Sequence, residues 1–156
     1  MNDSNVLTNE ENVSAIVLRQ HDEVASRLAA VKGHAGHSRQ DEFEALAALL
    51  TVHEAAEESV IYPVLRELGD DGKRIADARE REEKAADEML AKLKTLDIDS
   101  REFDSLFSDF SAAVHAHASS EKAEVIGLLN SSVSAHQLET MGTAFQESQK
   151  SVASRS

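Results

Sequence analysis

The sequence predicts an all-α protein, an antiparallel up-down-up-down four-helix bundle followed by a short fifth helix. The chain of 156 residues is rich in alanine, leucine, glutamate, lysine and arginine, and it contains one proline and six glycines. That composition favours helices. Apolar residues recur at helical spacing in four long stretches, and no stretch alternates apolar and polar residues as a strand would. Short breaks separate the stretches, so consecutive helices are expected to run antiparallel.

The first two predicted helices are joined by a glycine-containing loop. The first begins at about Thr8, which forms a capping box with Glu11, and it ends before the loop at 33–38. The second is predicted over 38–68, where Pro63 should bend the helix or loosen its last turn because proline has no backbone N–H. The inner faces carry Val13, Val17, His21, Val24, Leu28 and Val31 in the first helix, and Phe43, Leu46, Leu50, His53, Glu57, Val60, Ile61 and Val64 in the second.

The third and fourth predicted helices follow two further breaks. Residues 69–72 end the second helix, and the third helix is predicted over 73–96. The next break is at 97–100, where Asp99 together with Glu102 can cap the fourth helix. The inner faces carry Ile75, Ala86, Leu90 and Leu93 in the third helix, and Phe103, Phe107, Phe110, Val114, His117, Glu121, Val125 and Leu128 in the fourth.

A single domain accounts for most of the chain. The fifth, shorter helix is predicted over 134–149, with fraying from Ser148 onward. The domain is therefore expected over 8–149, with flexible tails at 1–7 and 150–156.

Charge and composition exclude several classes of function. The formal net charge of −13 repels phosphate backbones and anionic lipids, so nucleic-acid and membrane partners are not expected. The absence of cysteine excludes disulfides, thiolate zinc sites and iron–sulfur clusters. No run of 18 apolar residues and no signal-peptide pattern occurs, so a cytoplasmic location is expected.

Two His-x-x-x-Glu steps lie within the apolar stripes of the second and fourth helices. His53 precedes Glu57, and His117 precedes Glu121, by about one helical turn, so each pair lies on one face. A weak internal repeat of helix pairs would bring the polar residues of all four long helices to one midplane. The pattern therefore predicts one buried metal site, formed by the six polar residues that project from the apolar stripes: His21, His53, Glu57, Glu83, His117 and Glu121.

Metal binding is the simplest account of this cluster. An ionised carboxylate that is buried without a partner is very unfavourable, and few lysines or arginines interrupt these faces. Cations would neutralise the three carboxylates. Imidazole with carboxylate, and without thiolate, suits iron, manganese or zinc. Two central glutamates on neighbouring helices could bridge two ions, as in other dimetal bundles.

Three segments carry a resemblance to a known family. They are 18–22 around the first histidine, 53–63, and 117–129. The second segment is the most specific, with a histidine, a glutamate four residues later, a second acid, an apolar pair and a Tyr-Pro ending. In these segments the chain resembles the hemerythrin-like HHE cation-binding family. The resemblance implies two non-heme iron ions (Fe²⁺ or Fe³⁺), joined by an oxo or hydroxo bridge, with Glu57 and Glu121 as bridging carboxylates.

The third helix departs from the family pattern. The family usually has a histidine where Glu83 stands, and its oxygen-carrying members have another where Arg79 stands. One ion would keep His21 and His53, whereas the other would keep only His117 and at best Glu83. Such a carboxylate-rich site resembles oxygen-activating di-iron bundles more than reversible oxygen carriers, because anionic oxygen ligands stabilise the ferric state.

Several neighbouring residues have alternative assignments. Glu83 can instead form a salt bridge with Arg79, or Glu82 can take its place in the site. Tyr62 lies about half a turn out of phase with His53, so packing in the core is expected for it. No site role is assigned to His34, His37, His115 and His136. Solvated positions, or positions that orient a ligand histidine, are expected for Glu54, Glu58 and Glu124.

These observations lead to one function and two alternatives. The expected function is a di-iron protein that binds or reduces a small oxidant, namely O₂, peroxide or NO, with an external reductant. An oxygen, redox or iron sensor, or an iron buffer, is the alternative without turnover, and a sensor would need a protein partner. A third alternative is a metal-free structural bundle that lost its function with the third-helix histidines.

Overall fold

The computed structural model describes residues 11–155, and all regular secondary structure in that range is helical. The all-α class is therefore confirmed. The α-helices are α1 (Val13–Gly33), α2 (Gly36–Ala56), α3 (Tyr62–Arg66), α4 (Asp70–Leu93), α5 (Arg101–Ser120), α6 (Gly127–Ser132) and α7 (Ala135–Ser154), and two π-helical segments are π1 (Glu57–Ile61) and π2 (Glu121–Ile126). The second long helix is continuous through α2, π1 and α3, and the fourth is continuous through α5, π2 and α6.

The two π-helical segments change the register of the helices that contain them. In π1 the backbone N–H of Tyr62 donates to the carbonyl of Glu57, five residues earlier. A π turn adds one residue to the helix, which rotates all later side chains by about 100° relative to a regular α-helix. Pro63 follows directly, at the first turn of α3, where its missing N–H is tolerated. The residue that π1 adds therefore lies directly before the proline.

This change of register moves the buried stripe by one residue. Val64 and Leu128 were predicted to face inward, but they are only half-buried. The residues that follow them, Leu65 and Leu129, are completely buried instead. Periodicity with a strict helical repeat cannot anticipate this slip, because it assumes 3.6 residues per turn throughout.

Several predicted helix ends are wrong by a few residues. Helix α4 begins at Asp70, because Gly69 has a φ of 92° and reverses the chain before residues 70–72 join the helix. Helix α5 is capped by the Ser100 hydroxyl, which accepts from the N–H of Phe103 at 3.0 Å. Asp99 does not cap α5 and instead accepts from the N–H of Gly36 at 3.2 Å.

The first and last described helices also differ from the predicted helices at their outer ends. Helix α1 is capped by Asn12, whose side chain accepts from the N–H of Ala15 at 2.9 Å. Thr8 of the predicted capping box, and the tail at 1–7, lie outside the described residues. Helix α7 continues to Ser154, past the predicted end at 149.

The apolar core consists of two separate clusters. One contains Val13, Ile16, Val17, Ala56, Ile61, Tyr62, Leu65, Ile75, Ala76, Val125, Ile126, Leu129, Val133, Leu138, Met141 and Phe145. The other contains Val24, Leu28, Val31, Phe43, Leu46, Ala47, Leu50, Ala86, Leu90, Leu93, Phe103, Phe107 and Phe110. We call them the Tyr62 cluster and the Phe107 cluster. A layer of buried polar residues lies along the helices between them.

Helix α7 packs closely against the start of α1. A Cβ atom at Gly142 would clash with the backbone carbonyl of Glu11, so glycine is needed for this approach. Within residues 11–155 no helix is both long and apolar enough to cross a membrane.

Candidate metal centre

The six residues predicted from the sequence come together in the polar layer. They form two groups, and within each group the potential ligand atoms all lie within 4.8 Å of one another. Both groups contain Glu57 and Glu121, which are completely buried. The first group adds His21 and His53, and the second adds Glu83 and His117. Each π segment begins at one of the two shared glutamates, so the widened turns lie at the centre of the site.

Both histidines of the first group contact a shared glutamate, and His53 has a contact at its second ring nitrogen as well. His21 Nε2 lies 2.7 Å from Glu121 Oε1, and His53 Nε2 lies 3.0 Å from Glu57 Oε2. The other ring nitrogen of His53, Nδ1, lies 2.8 Å from the side-chain oxygen of Gln20. Gln20 was not singled out in the sequence, although it directly precedes His21 and is buried.

The second group is built around one histidine. His117 Nε2 lies 3.4 Å from Glu83 Oε2 and 3.8 Å from Glu121 Oε2. Its Nδ1 lies 2.8 Å from Glu82 Oε1. Glu82 therefore contacts His117 from outside the cluster, whereas Glu83 belongs to the cluster, an arrangement that favours Glu83 over Glu82 as the ligand.

Arg79 does not pair with Glu83. Its guanidinium is buried and donates to Glu82 at 2.9 Å and to Glu124 at 2.6 Å. The salt bridge that would have explained Glu83 without a metal is therefore not formed. Arg79, which stands where oxygen carriers of the resembled family have a ligand, instead fixes the carboxylate behind His117.

Tyr62 belongs to the site and does not merely pack in the core. Its hydroxyl donates to Glu83 Oε2 at 2.7 Å, and it lies 3.4 Å from Glu57 Oε1 and 3.5 Å from Glu121 Oε2. The expected half-turn offset from His53 is wrong because π1 lies between the two residues. The Tyr-Pro ending of the motif was the available signal, but its geometry depends on a π turn that composition does not reveal.

The residues set aside in the sequence lie mostly outside the cluster. His34, His37 and His136 are exposed, and His115 is exposed at the edge of the cavity described below. Glu54 borders the same cavity, Glu58 is exposed, and Glu124 contacts Arg79. Glu58 is therefore solvated and Glu124 lies outside the cluster, as expected, whereas Glu54 and His115 border the cavity.

The buried carboxyl groups have strongly perturbed and opposed pKa values. Burial, together with the nearby Glu121 carboxylate, raises the pKa of Glu57 well above 4.5. Burial also acts to raise the pKa of Glu121, but hydrogen bonds from Glu57 and His21 and the charge of His117 outweigh it and lower this pKa to about 2. Burial and the surrounding carboxylates raise the pKa of the Tyr62 hydroxyl, so the phenol keeps its proton.

The two central histidines also differ in protonation. Burial lowers the pKa of His53 to about 4, so its ring is neutral at pH 7. Burial opposes the charged form of His117 as well, but its contacts with Glu83, Glu121 and Glu82 raise the pKa to about 9. In the metal-free protein the His117 imidazolium therefore supplies part of the positive charge that the carboxylates require.

The atoms that face the centre fit a cation. Four buried atoms of the site lack a hydrogen-bond partner within residues 11–155: His53 Nε2, Glu57 Oε2, Glu83 Oε1 and His117 Nε2. Buried polar atoms without partners are uncommon, and these four lie on residues of the two potential ligand groups. Imidazole nitrogens with carboxylate oxygens suit iron, manganese or zinc.

A small cavity adjoins the site. It has a volume of about 40 Å³ and is bordered by His53, Glu57, Glu83 and His117, among other residues. Its remaining wall is largely apolar and includes Val24, Leu28, Leu50, Ala86 and Val114. Since a water molecule needs about 10–15 Å³ on this measure, the space suits a molecule of a few atoms.

Comparison with known families agrees with this arrangement. The sequence model of the hemerythrin HHE cation binding domain matches residues 12–129, a segment that includes all six clustered residues and ends before α7. No curated protein and no solved structure matches the chain. The match covers most of the sequence, and the chain therefore belongs to the hemerythrin HHE cation binding domain family.

Proposed function

We propose that the chain is a non-heme di-iron protein that binds or reduces a small oxidant, namely O₂, peroxide or NO. The observation that carries this proposal is the sharing of Glu57 and Glu121 between two groups of ligand atoms. Two carboxylates common to two adjacent groups suit a pair of bridged ions better than a single ion. Iron is chosen over manganese or zinc because of the family to which the chain belongs.

The long helices would hold this centre as an antiparallel up-down-up-down bundle. Short connections favour this arrangement, since only two residues separate α1 from α2 and three separate α3 from α4. Each long helix then contributes at least one ligand at the same level. His21 comes from the first, Glu83 from the third, and a His–Glu step from each of the other two.

The two ions would have unequal ligand sets. One would be held by His21 and His53 and the other by Glu83 and His117, with the two glutamates shared. The second ion therefore has one imidazole fewer and one carboxylate more. Fewer neutral ligands weaken the binding of ferrous iron, and the anionic oxygen favours the ferric state, so reduction of an oxidant is favoured over its reversible release.

The protein would control access and proton position around the ions. Iron would supply the one-electron chemistry, with electrons from an external reductant. The apolar wall of the cavity limits water and admits only a molecule of a few atoms. Tyr62, which belongs to the apolar cluster on the other side of the polar layer, donates its hydroxyl proton to Glu83 across an oxygen–oxygen distance of 2.7 Å and so restrains that carboxylate.

Metal content and turnover test this proposal. Protein loaded anaerobically with Fe²⁺ and then desalted should retain two iron ions per chain and develop near-ultraviolet absorption when air is admitted. His53→Ala should lose iron, whereas His136→Ala, which replaces an exposed histidine, should not. A colourless wild-type protein that retains no iron would refute the proposal.

A sensor or iron buffer is the second candidate. Helix α7 lies beyond the matched segment, yet its Phe145 ring is 5.9 Å from the His53 ring, which offers a route from the site to a protein partner. Turnover distinguishes the two functions. Sustained consumption of peroxide or O₂ in the presence of a reductant indicates an enzyme, and one stoichiometric event per site indicates a sensor or store.

A further inference from the structure

Helix α7 reaches the polar layer through a pair of glutamine side chains. Gln20 Nε2 donates to Gln149 Oε1 at 2.9 Å, and Gln149 Nε2 donates to Gln20 Oε1 at 2.8 Å. The two amides thus form a reciprocal pair across 129 residues of sequence. Gln149 lies one turn after Phe145, which is completely buried against His53, so the packing of α7 fixes its position.

The same oxygen of Gln20 also contacts His53. Gln20 Oε1 lies 2.8 Å from His53 Nδ1, and an amide oxygen only accepts, so Nδ1 must carry the proton of the neutral ring. His53 Nε2 is then left with a free lone pair, 3.0 Å from Glu57 Oε2. If the Gln20 amide turned over, its N–H group would face Nδ1 and the ring proton would move to Nε2. Nε2 would then have no lone pair to offer a metal ion.

We propose that Gln149 is a positioning residue for the metal centre: through Gln20 it keeps the His53 proton on Nδ1 and leaves Nε2 available as the ligand atom. This inference rests on the proposed metal centre. Without Gln149, Gln20 loses both a donor to its oxygen and the acceptor of its N–H group, so its amide can rotate. The ring orientation that a metal requires is commonly fixed in this way by the hydrogen bond on the second nitrogen.

The tautomer of His53 can be measured without any metal. In metal-free protein labelled with ¹⁵N-histidine at pH 7, two-bond proton–nitrogen NMR correlations distinguish Nδ1–H from Nε2–H. Wild-type protein should show His53 as the Nδ1–H tautomer, and Gln149→Met should reduce that population. Gln146→Met is the matched control, because it makes the same change on α7 at a half-buried position outside the glutamine pair.

Iron affinity provides the second measurement. Gln149→Met should weaken the binding of one of the two iron ions about tenfold, and Gln146→Met should not. Tenfold is the lower end of the loss in metal affinity that follows when a hydrogen-bond partner of a metal ligand is removed. Gln149→Asn keeps an amide that is too short to reach Gln20 and should behave like Gln149→Met, which covers the case in which the methionine variant misfolds.

The outcomes separate this inference from the proposed function. Wild-type His53 with its proton on Nε2, or a Gln149→Met variant with wild-type tautomer and iron affinity, would overturn the role of Gln149. A wild-type protein that binds no iron would instead end the proposed function, and the tautomer populations would still decide whether Gln149 acts on His53.

Discussion

Replacing Glu57 by glutamine should stabilise the metal-free protein and abolish its metal binding at the same time. Glu57 is completely buried beside Glu121, and its pKa is raised well above the ordinary value of 4.5. Folding at pH 7 therefore takes up a proton that the unfolded chain does not hold. Each pH unit between 4.5 and 7 adds about 1.4 kcal/mol to the free-energy cost of taking up this proton. The free energy of unfolding of the wild-type protein at pH 7 is therefore lower by up to about 3 kcal/mol. An amide has the same shape and needs no proton.

Urea denaturation of the two proteins in chelator measures this difference. Since the folded pKa of Glu57 is raised, its contribution to stability is fully present below pH 4.5 and is lost as the pH rises. The advantage of Glu57→Gln should therefore approach about 3 kcal/mol at pH 7 and vanish near pH 4.5. Glu67→Gln, which removes an exposed carboxylate directly after the end of α3, should change the free energy of unfolding little at either pH.

Iron should reverse the order of the two proteins. A neutral amide cannot replace a bridging carboxylate, so iron should raise the melting temperature of the wild-type protein and leave Glu57→Gln unchanged. The reasoning is refuted if Glu57→Gln destabilises the metal-free protein at pH 7, because the carboxyl would then be ionised and usefully paired there.

Three further changes probe other parts of the site. Tyr62→Phe removes a buried hydrogen bond to Glu83 and should lower the free energy of unfolding of the metal-free protein by about 1–3 kcal/mol in urea. Arg79→Met removes the contact that holds the Glu82 carboxylate against His117, and it should weaken the binding of one iron ion more than that of the other in a stepwise titration. Equal weakening of the two ions would contradict the role assigned to Arg79. Between pH 6.5 and 9 the metal-free wild-type protein should lose up to about 3 kcal/mol of stability in pH-dependent melts, because the pKa of His117 is raised to about 9 and its stabilising proton is lost in this window.

The sequence allowed the helices and the six clustered residues to be predicted because both follow a simple helical period. His53 and Glu57 lie one turn apart before the register changes, so an ideal helix places them correctly. Tyr62 comes after the π turn, and the same ideal helix places it wrongly. The choice between Glu82 and Glu83 could not be made without the position of Arg79. Arg79 donates to Glu82 and not to Glu83.

Contacts between residues that are far apart in the sequence cannot be predicted from helical periodicity. Gln20 and Gln149 are 129 residues apart, and nothing in their local sequence indicates that their amides meet. The buried apolar residues Leu138, Met141 and Phe145 account for the packing of α7 but not for its polar contact. Such a pairing depends on how closely α7 approaches α1, which is set by the small volume of Gly142.

The division of the apolar core into two clusters has a consequence for how the protein unfolds. The Tyr62 cluster and the Phe107 cluster are joined across a layer of buried carboxyl groups, whose burial makes folding of the metal-free protein less favourable. That layer is the natural boundary between two cooperative units. Ions bound in the layer would couple the unfolding of the two units. In amide hydrogen exchange, the metal-free protein should therefore show two levels of protection, one for each cluster, and the iron-loaded protein should show a single level.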